Sequence, residues 1–260
     1  MLKRWLEHPL TRGFDLDDPN LIGVRRKLAR DKAFLRRLYE EWYEEIRSAL
    51  PPGEEPVLEL GSGPGFLNER IPRVITSDVL PSSGIDVLLN ASGLPVASGA
   101  LRGVVMTNVL HHLGDPRAFF REATRVVRPG GAIVMIEPWA TTVSRLTYSY
   151  LHHEPFDMKA ATWEFASAGP LTDANGALPW IIFERDRAVF EREFPEWRVS
   201  LIRLDMPFAY VLSGGMSLRG LVPGWAYGVC RSFERTLKPW MRHLAMFASI
   251  VLTREGGLPA

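Results

Sequence analysis

The stretch Val57–Phe66, VLELGSGPGF, decides the fold of this chain. Four mostly apolar residues lead into three glycines on alternate positions, Gly61, Gly63 and Gly65, and a helical pattern follows. This order predicts a strand, a tight turn and a helix. Because glycine accepts positive φ and has no Cβ, such a turn can bring bare backbone against a ligand, and the helix would add unpaired N–H groups. An ordinary turn between a strand and a helix would use the same residues.

The spacing of the glycines separates two classes of nucleotide-binding turn. A dinucleotide-binding turn, G-x-G-x-x-G, requires glycine or alanine at position 66, where this chain has Phe66. The chain instead reads E-x-G-x-G-x-G from Glu59 to Gly65, which resembles the first motif of class I S-adenosylmethionine (SAM) dependent methyltransferases. The resemblance implies that the turn faces the methionine part of SAM and that Glu59 orients its amino group. The residues that it assigns to the turn are Gly61, Ser62, Gly63 and Gly65.

A second strand is predicted at Val74–Val79, VITSDV, with Asp78 at its end, 17 positions after Gly61. In that place a carboxylate can accept hydrogen bonds from both ribose hydroxyls of an adenosine, and Val79 can pack on the base. An acidic residue at the end of a strand also commonly caps a helix. Here Pro81 and the serines and glycine after it indicate a loop instead.

Residues 90–95, NASGLP, stand where the third strand region of the same family commonly reads D-A-x-x-L-P. The resemblance implies that Asn90 binds the adenine amino group and that the backbone N–H of Ala91 faces the ring. Asn90 replaces the usual acid, and its amide oxygen can still accept from an amine, although charge assistance is lost. Asp86, four residues earlier, is the alternative partner.

The most specific resemblance lies in residues 108–138, NVLHHLGDPRAFFREATRVVRPGGAIVMIEP. A strand predicted at Leu101–Leu110 leads into it, and its apolar content indicates burial on both faces. The run is similar to the fourth and fifth strand region of small-molecule SAM methyltransferases, and the resemblance places Asn108 among the cofactor-binding residues. The paired prolines of base-modifying methyltransferases are absent from this run. A nucleic-acid amino group is therefore not expected as the methyl acceptor.

The resemblance covers about residues 55–138 and implies an α/β fold. It is Rossmann-like, a seven-stranded, mostly parallel sheet with helices on both faces and the last strand antiparallel. The sixth and seventh strands are expected near Trp197–Leu204 and Met246–Thr253. Residues 1–53 are predicted as an N-terminal helical extension or lid, because apolar residues recur at helical spacing from Asn20 to Leu50. Residues 54–260 would form the SAM-binding domain, with 139–195 as a substrate-recognition insertion between strands five and six.

Composition and charge limit which partners and which cell compartment are expected. The chain has 260 residues, 46% of them hydrophobic, and a net charge of +1. This charge gives no general attraction to phosphates, so we expect no nucleic-acid partner. The single cysteine, Cys230, excludes a disulfide within the chain and a cysteine-based zinc cluster, and it suits a reducing cytoplasm. The sequence shows no signal-peptide pattern and no apolar run of 18 residues, so we expect a cytoplasmic protein, soluble or peripheral to a membrane.

Residues 216–242 combine apolar and basic side chains. Between Gly214 and Ala245 the sequence has five Lys or Arg and one acid. The apolar residues with helical spacing are Leu218, Leu221, Trp225, Val229, Phe233 and Leu237. The cations on another face are Arg231, Arg235, Lys238 and Arg242. Two interpretations stay open: a helix whose apolar stripe packs on the core, or a helix that lies on an anionic lipid surface or a phosphate-bearing substrate.

Candidate general bases lie in two histidine pairs. Methyl transfer from a sulfonium mainly requires collinear positioning, and a base is needed only if the acceptor is protonated at neutral pH. We assign candidate catalytic roles to His112, after the fourth strand, and His153, in the insertion. Adjacent residues on a strand point to opposite faces, so at most one of each pair should reach a single cavity. The other candidates are His111, His152 and Glu137.

Taken with the resemblance, these features predict a SAM-dependent methyltransferase that methylates a small-molecule, lipid-linked or glycan-linked acceptor at oxygen. The tryptophans and prolines of residues 139–195 suggest an apolar or ring-shaped acceptor. No metal site is expected, because no histidine spacing puts two ligands on one helix face. The alternative is a non-catalytic, methyltransferase-like SAM-binding partner subunit. A nicotinamide-dependent oxidoreductase is disfavoured by Phe66.

Overall fold

The computed structural model describes residues 7–14, 18–151, 155–165, 169 and 173–256. One sheet is built from β1 Val57–Leu60, β2 Val74–Asp78, β3 Val87–Leu88, β4 Leu101–Thr107, β5 Val127–Pro138, β6 Trp197–Asp205 and β7 Phe247–Arg254. The strand order is β3-β2-β1-β4-β5-β7-β6. The pairs among β1 to β5 are parallel, whereas β7 is antiparallel to both β5 and β6. The predicted fold class is confirmed.

Helices connect the strands and cover the sheet. The α-helices in the described residues are α1 Pro19–Asp31, α2 Ala33–Ala49, α3 Pro116–Val126, α4 Thr142–Leu151, α5 Leu178–Trp180, α6 Arg187–Glu193, α7 Ala209–Ser213, α8 Tyr227–Thr236 and α9 Met241–Leu244. Single 3-10 turns occupy Leu67–Glu69, Leu110–His112, Gly224–Ala226 and Lys238–Trp240, and Ile181–Arg185 is π-helical. Among the described residues, none of these helices is long and apolar enough to cross a membrane.

Two hydrophobic cores lie on opposite faces of the sheet, because alternate strand residues point to opposite sides. Leu58, Val104 and Ile133 face α3 and the π-helical segment. Val57, Val105 and Val134 face α2. The inner strands are buried along their whole length up to the edge where the site lies, as expected for a parallel sheet with helices on both faces.

The N-terminal helical pattern forms two helices rather than one. The helix is interrupted at Lys32, whose backbone is extended at φ −79° and ψ 92°. The Lys32 ammonium donates to the carbonyl oxygens of Gly215 and Leu218, at 2.6 and 2.9 Å. Neither glycine nor proline marks position 32, so the sequence carries no signal for this break. The division of the chain at residue 53 stays a prediction, although α2 packs directly on the sheet.

Two local predictions around the strand ends are wrong. The helix expected after the glycine turn is a single 3-10 turn, because Phe66 is buried against the ring of Tyr43, 4.9 Å between centroids, and Pro72 follows closely. Such a turn provides no macrodipole. The strand expected at Leu101–Leu110 ends at Thr107, because Asn108 adopts φ +59°.

Candidate functional site

The ends of parallel strands bring the predicted cofactor residues to one edge of the sheet. β1 ends at Leu60, β2 at Asp78 and β4 at Thr107, and the three strands are neighbours. Ligands of open α/β sheets bind outside this carboxyl edge. The glycine turn, the Asp78 loop and the Asn108 turn therefore lie side by side where a ligand is expected.

Ser62 fastens the glycine turn to β2. Its backbone N–H donates to the Ser77 carbonyl oxygen at 2.8 Å, and its Oγ accepts from the Ser77 N–H at 3.1 Å. The same Oγ lies 2.7 Å from Oε2 of Glu59 and donates to it. A serine within this turn thus fixes both the path of the backbone and the orientation of the acid.

Gly61 and Gly63 both have positive φ, +60° and +42°. A Cβ on Gly61 would lie 2.5 Å from Cγ2 of Val109, so glycine is required there by the close approach of the turn after β4. A Cβ on Gly63 would meet nothing nearer than 3.7 Å. Gly63 is therefore the glycine that leaves its outer side open to a ligand.

Gly65 has a packing role instead. A Cβ at this position would lie 2.8 Å from both the Ser62 carbonyl oxygen and the hydroxyl oxygen of Tyr43. The same hydroxyl accepts a hydrogen bond from the Phe66 N–H at 3.2 Å. Tyr43 on α2 therefore supports the end of the turn, a contact that the sequence did not indicate.

Glu59 is a buried acid under the glycine turn, with 4% of its surface exposed. Burial raises the pKa of its carboxyl to about 7, the Ser62 hydrogen bond lowers it in part, and the charge of Asp78 raises it further. Such a carboxyl gains most from a cationic partner, because an adjacent positive charge would stabilise the ionised form. The amino group of SAM has this charge.

Asp78 lies half-buried beside the turn. Its Oδ2 accepts from the Gly63 N–H at 2.9 Å, and its Oδ1 accepts from the Leu80 N–H at 3.0 Å. A carboxylate has about four acceptor positions, so two hydroxyl donors can still be accommodated. Val79 follows with 49% of its surface exposed, although valine is usually buried. Both residues have the exposure that their predicted roles require.

Asn90 and Asp86 are both engaged locally. The Asn90 side chain is exposed, and its Oδ1 accepts from the Ser92 N–H at 2.9 Å. Ala91 is buried in the core. Oδ2 of the alternative residue, Asp86, accepts from both the N–H and the hydroxyl of Thr76, at 2.8 Å each. Asp86 thus has a structural role at β2.

Glu137 organises the turn after β4. It is fully buried, and its Oε1 accepts from the N–H groups of Val109 and Leu110, both at 2.8 Å. Its Oε2 lies 2.7 Å from Nδ1 of His111, which is also buried. These contacts hold Asn108 and the following residues in place. Glu137 and His111, two candidate bases, form this buried pair with each other.

His112 lies where the turn meets the insertion. Its Nδ1 is 3.3 Å from the carbonyl oxygen of Asp173, and its ring lies 4.3 Å from that of His111. The two histidines belong to a 3-10 turn, so the alternation expected of a strand does not apply to them. The described parts of the insertion also bond this turn, with the Asn175 N–H donating to the His111 carbonyl oxygen at 2.9 Å. His152 and His153 lie outside the described residues.

Arg26 on α1 reaches the same edge and was not indicated by the sequence. Its Nη2 donates to the Gly63 carbonyl oxygen at 2.7 Å and lies 3.4 Å from Oγ of Ser82, while its Nη1 bonds Ser83. The arginine therefore bridges the glycine turn and the loop after Asp78. No pattern separates it from its basic neighbours, because the contact partner is 37 residues away.

Trp139 and Trp163, from the segment predicted to recognise the acceptor, pack in the core of the domain, with 3% and 2% exposure. In the described residues, one group of acids, Glu41, Glu45 and Asp205, could converge on a metal ion. Arginines already pair with all three acids, among them Arg231 with Glu41 and Asp205 at 2.7 Å each and Arg203 with Glu45 at 2.5 Å.

The sheet order with its one reversed strand, the glycine turn after β1 and the acid ending β2 define the class I SAM-dependent methyltransferase architecture. Residues 58–135 match the family model described as a methyltransferase domain. The chain thus contains a methyltransferase domain of this class, whose cofactor is SAM. The buried acid, the open side of Gly63 and the carboxylate at the end of β2 fit that cofactor.

Curated relatives agree over the same region. An uncharacterized methyltransferase of Mycobacterium sp. (strain JLS) is 32% identical over 98 residues, which cover 32% of this chain and 39% of the relative. The ubiquinone biosynthesis O-methyltransferase of Rhizobium johnstonii is 30% identical over 128 residues, 42% of this chain and 50% of that protein. The malonyl-[acyl-carrier protein] O-methyltransferase of Hahella chejuensis is 29% identical over 98 residues, which cover 31% of this chain and 35% of that protein. The chain spans about two fifths of the first of these relatives.

Solved structures share the fold at low sequence identity. A methyltransferase solved with the Trm112 activator of Haloferax volcanii is similar with a TM-score of 0.51 and 14% identity, over 90% of this chain and 96% of that one. Geranyl diphosphate C-methyltransferase of Streptomyces coelicolor, solved with S-adenosyl-L-homocysteine, is similar with a TM-score of 0.50 and 13% identity, over 96% of this chain and 88% of that one. At such identities the likeness concerns the fold alone.

Proposed function

We propose that this protein transfers the methyl group of SAM to an oxygen atom of a small-molecule, lipid-linked or glycan-linked acceptor. The observation that carries the proposal is the pair of acids around the glycine turn. Glu59 lies buried beneath the turn and Asp78 binds its Gly63 N–H at 2.9 Å, with Ser62 between them. This arrangement suits a ligand with an ammonium group at one end and a ribose at the other.

Each residue of the site has a defined task in the proposal. Glu59 binds the ammonium group of SAM, and Asp78 accepts hydrogen bonds from the ribose hydroxyls. Val79 covers one face of the adenine. The glycine turn provides its backbone through Gly61, Ser62, Gly63 and Gly65. The remaining cofactor contacts in the proposal are Asn90, Ala91 and Asn108.

The chemistry needs little beyond positioning. SAM supplies an electrophilic methyl group on a sulfonium, and the acceptor atom must approach it in line. A hydroxyl acceptor also has to lose its proton. We propose His112 for this step, because an Nδ1–H donated to the Asp173 carbonyl oxygen leaves Nε2 as the proton-accepting nitrogen of the ring. His153 is the second candidate, in the insertion that would recognise the acceptor.

Oxygen as the target atom is supported by two of the relatives. The proteins of Hahella chejuensis and Rhizobium johnstonii are both O-methyltransferases. The alternative, a non-catalytic SAM-binding partner subunit, is not favoured, because the family model describes a methyltransferase domain and both of these relatives are enzymes by name.

A radiolabelled methyl-transfer assay tests the proposal. Purified protein and labelled SAM are incubated with extracts separated into lipid, glycan and small-molecule fractions. We expect label in one fraction, bound through oxygen as a methyl ester or a methyl ether. Protein that binds SAM but labels no fraction would contradict the catalytic proposal. Label on nitrogen or carbon alone would contradict the choice of oxygen.

Asp78→Ala should weaken SAM binding at least tenfold and reduce label in parallel, because one or two charge-assisted hydrogen bonds are lost. Asp86→Asn is the matched control, since the carboxylate of this nearby acid accepts hydrogen bonds from Thr76 within β2. It should leave the SAM dissociation constant within about twofold of the wild type. Equal affinity of Asp78→Ala and the wild type would refute the ribose assignment.

A further inference from the structure

The outer face of α8 and its flanking turns exposes large apolar side chains. Trp225 is 75% exposed, Val229 68%, Phe233 56% and Trp240 55%. Residues 225, 229 and 233 recur every four positions and so share one side of the helical segment. Phe208 extends this side, because its ring stacks on that of Phe233 with 6.4 Å between centroids. We call these five residues the α8 face.

The orientation of α8 is fixed by the opposite side of the helix. Arg231 is 3% exposed and pairs with Glu41 on α2, Asp205 at the end of β6 and Glu234 within α8. Glu234 also accepts from the N–H groups of Phe208 and Ala209, both at 2.7 Å. Rotating the helix to bury its apolar side would break this buried network. Of the two interpretations left open by the sequence, the one in which the apolar stripe packs on the core does not hold for Trp225, Val229 and Phe233.

The exposed charges of the segment that carries the α8 face, residues 214–245, have one sign. Arg235, Lys238 and Arg242 are exposed, and Arg37 of α2 joins them by donating to the Gly224 carbonyl oxygen at 3.2 Å. Residues 214–245 are all described, and their one acid, Glu234, is fully buried. Exposed apolar and aromatic residues flanked by exposed cations have the composition of a surface that contacts anionic lipid.

We propose that the α8 face binds the surface of an anionic lipid bilayer. The apolar residues enter the interfacial region, the two tryptophans lie at headgroup level, and the cations contact lipid phosphates. A second copy of this chain is a poorer occupant, because a two-fold contact through this face would place cations against cations. The inference does not depend on the methyl-transfer proposal.

The location of the face also relates it to the site. β6 ends at Asp205 and β7 begins at Phe247, and these two residues are paired in register. Phe247 is also paired with Pro138, the last residue of β5. The segment that carries α8 therefore leaves and re-enters the sheet at the same edge where the cofactor site lies.

Vesicle flotation of the full chain tests the proposal. The protein should float with vesicles of phosphatidylcholine and phosphatidylglycerol at low salt, float much less at high salt, and not float with phosphatidylcholine alone. Val229→Glu combined with Phe233→Glu should reduce binding at least tenfold, since two charges would enter the interface. Arg235→Gln and Lys238→Gln should weaken binding by about fivefold for each cation lost.

Leu201→Glu combined with Arg192→Gln is the matched control. Leu201 is 42% exposed on β6, Arg192 is exposed on α6, and both lie outside the α8 face. This variant should float like the wild type. All variants change exposed side chains, and thermal unfolding verifies that each one is folded.

Three results would overturn the proposal. The first is absence of flotation with anionic vesicles, and the second is equal flotation with neutral ones. The third is a dimer, detected by light scattering during gel filtration, that the paired Val229 and Phe233 substitutions dissociate, because the face would then be a protein interface. Each result is independent of whether the protein binds SAM.

Discussion

Glu59 is an acid that the fold makes costly to ionise. Its carboxyl is buried beneath the glycine turn, and its pKa is raised to about 7. A buried carboxylate is destabilising until a cation reaches it. In the proposed function, SAM binding would therefore relieve this cost, and Glu59 would make SAM binding depend on pH.

Glu59→Gln should alter the pH dependence of stability. The raised pKa means that the native protein binds the proton more tightly than the unfolded chain does, so wild-type stability is lost as pH rises from about 4.5 through about 7. At about 1.4 kcal/mol per pKa unit, the wild type should lose about 3 kcal/mol relative to Glu59→Gln across this range. Urea unfolding of both proteins from pH 5 to pH 8 measures the difference. A constant difference would contradict the assignment of the pKa.

The proposed role of Glu59 also predicts a pH dependence of SAM affinity. Because the ammonium group favours ionised Glu59, the wild-type affinity should rise with pH up to about 7, while the weaker affinity of Glu59→Gln should not follow the same curve. Calorimetric titrations at several pH values, with proton release followed in two buffers, give this comparison. Parallel curves for the two proteins would place the ammonium group elsewhere.

Gly61→Ala tests the requirement for glycine in the turn. The residue has φ +60°, and a Cβ would lie 2.5 Å from Cγ2 of Val109. We expect a loss of about 2 kcal/mol or more in the free energy of unfolding. Gly93→Ala is the control, because a Cβ there has no neighbour within 4 Å and its φ is not positive; its cost should stay near 0.5 kcal/mol.

Combining Gly61→Ala with Val109→Ala separates the two causes. The second substitution removes the clashing methyl groups but leaves the strained φ, so part of the stability should return relative to the sum of the single variants. Strict additivity of the two effects would show that the contact between the turns does not decide the use of glycine.

At the level of single residues, the sequence predicted those site residues that belong to motifs with short, fixed spacing. The glycines, Glu59 and Asp78 belong to motifs of fixed separation, and the structure brings them to one edge. The pairing of Glu137 with His111, 26 residues apart, was not foreseen. Both residues were candidate bases because their types suit proton transfer, and only the fold reveals that they contact each other. Tyr43 was missed for the same reason.

The first helix contacts the candidate site through one side chain. Arg26 on α1 binds the glycine turn at Gly63 and the loop after β2 at Ser82 and Ser83. α1 begins with an Asp18 cap and Pro19 at its first turn, so the direction of the helix toward the site is set locally. The predicted lid function of this region remains a proposal that this contact supports.

Arg26→Ala should loosen α1 without unfolding the domain. Loss of these bonds should speed hydrogen exchange in residues 19–31 and weaken SAM binding by about 1 kcal/mol, about fivefold, because the glycine turn loses its external support. Lys27→Ala is the control, as the neighbouring Lys27 is exposed. Exchange and affinity like those of the wild type in Arg26→Ala would show that α1 does not support the turn.

Elements were predicted well where periodicity and length agreed. Strands six and seven were placed within one residue of their observed ends. The break at Lys32 was missed because it depends on a contact with residues 215 and 218. Hydrophobic periodicity in α8 was recognised correctly as helical, but it could not show which side faces the core. The buried Arg231 network decided that question.

At the scale of the whole molecule, one buried network joins elements distant in sequence. Arg231 connects α2, β6 and α8, and Phe34 of α2 contacts the ring of Tyr227 at 5.1 Å. The N-terminal helices, the sheet and the segment before β7 are thereby held together on one side of the domain. The site and the α8 face thus belong to one continuous packed structure.

Calorimetry with three ligands tests the central claim, that the turn between β1 and β2 binds SAM. Purified full chain is titrated separately with SAM, with S-adenosylhomocysteine and with NAD. We predict saturable one-to-one binding of SAM and S-adenosylhomocysteine and no binding of NAD. The affinity for SAM should be at least tenfold weaker in Asp78→Ala. Binding of NAD alone, or binding of SAM that is unaffected by this substitution, would contradict the account.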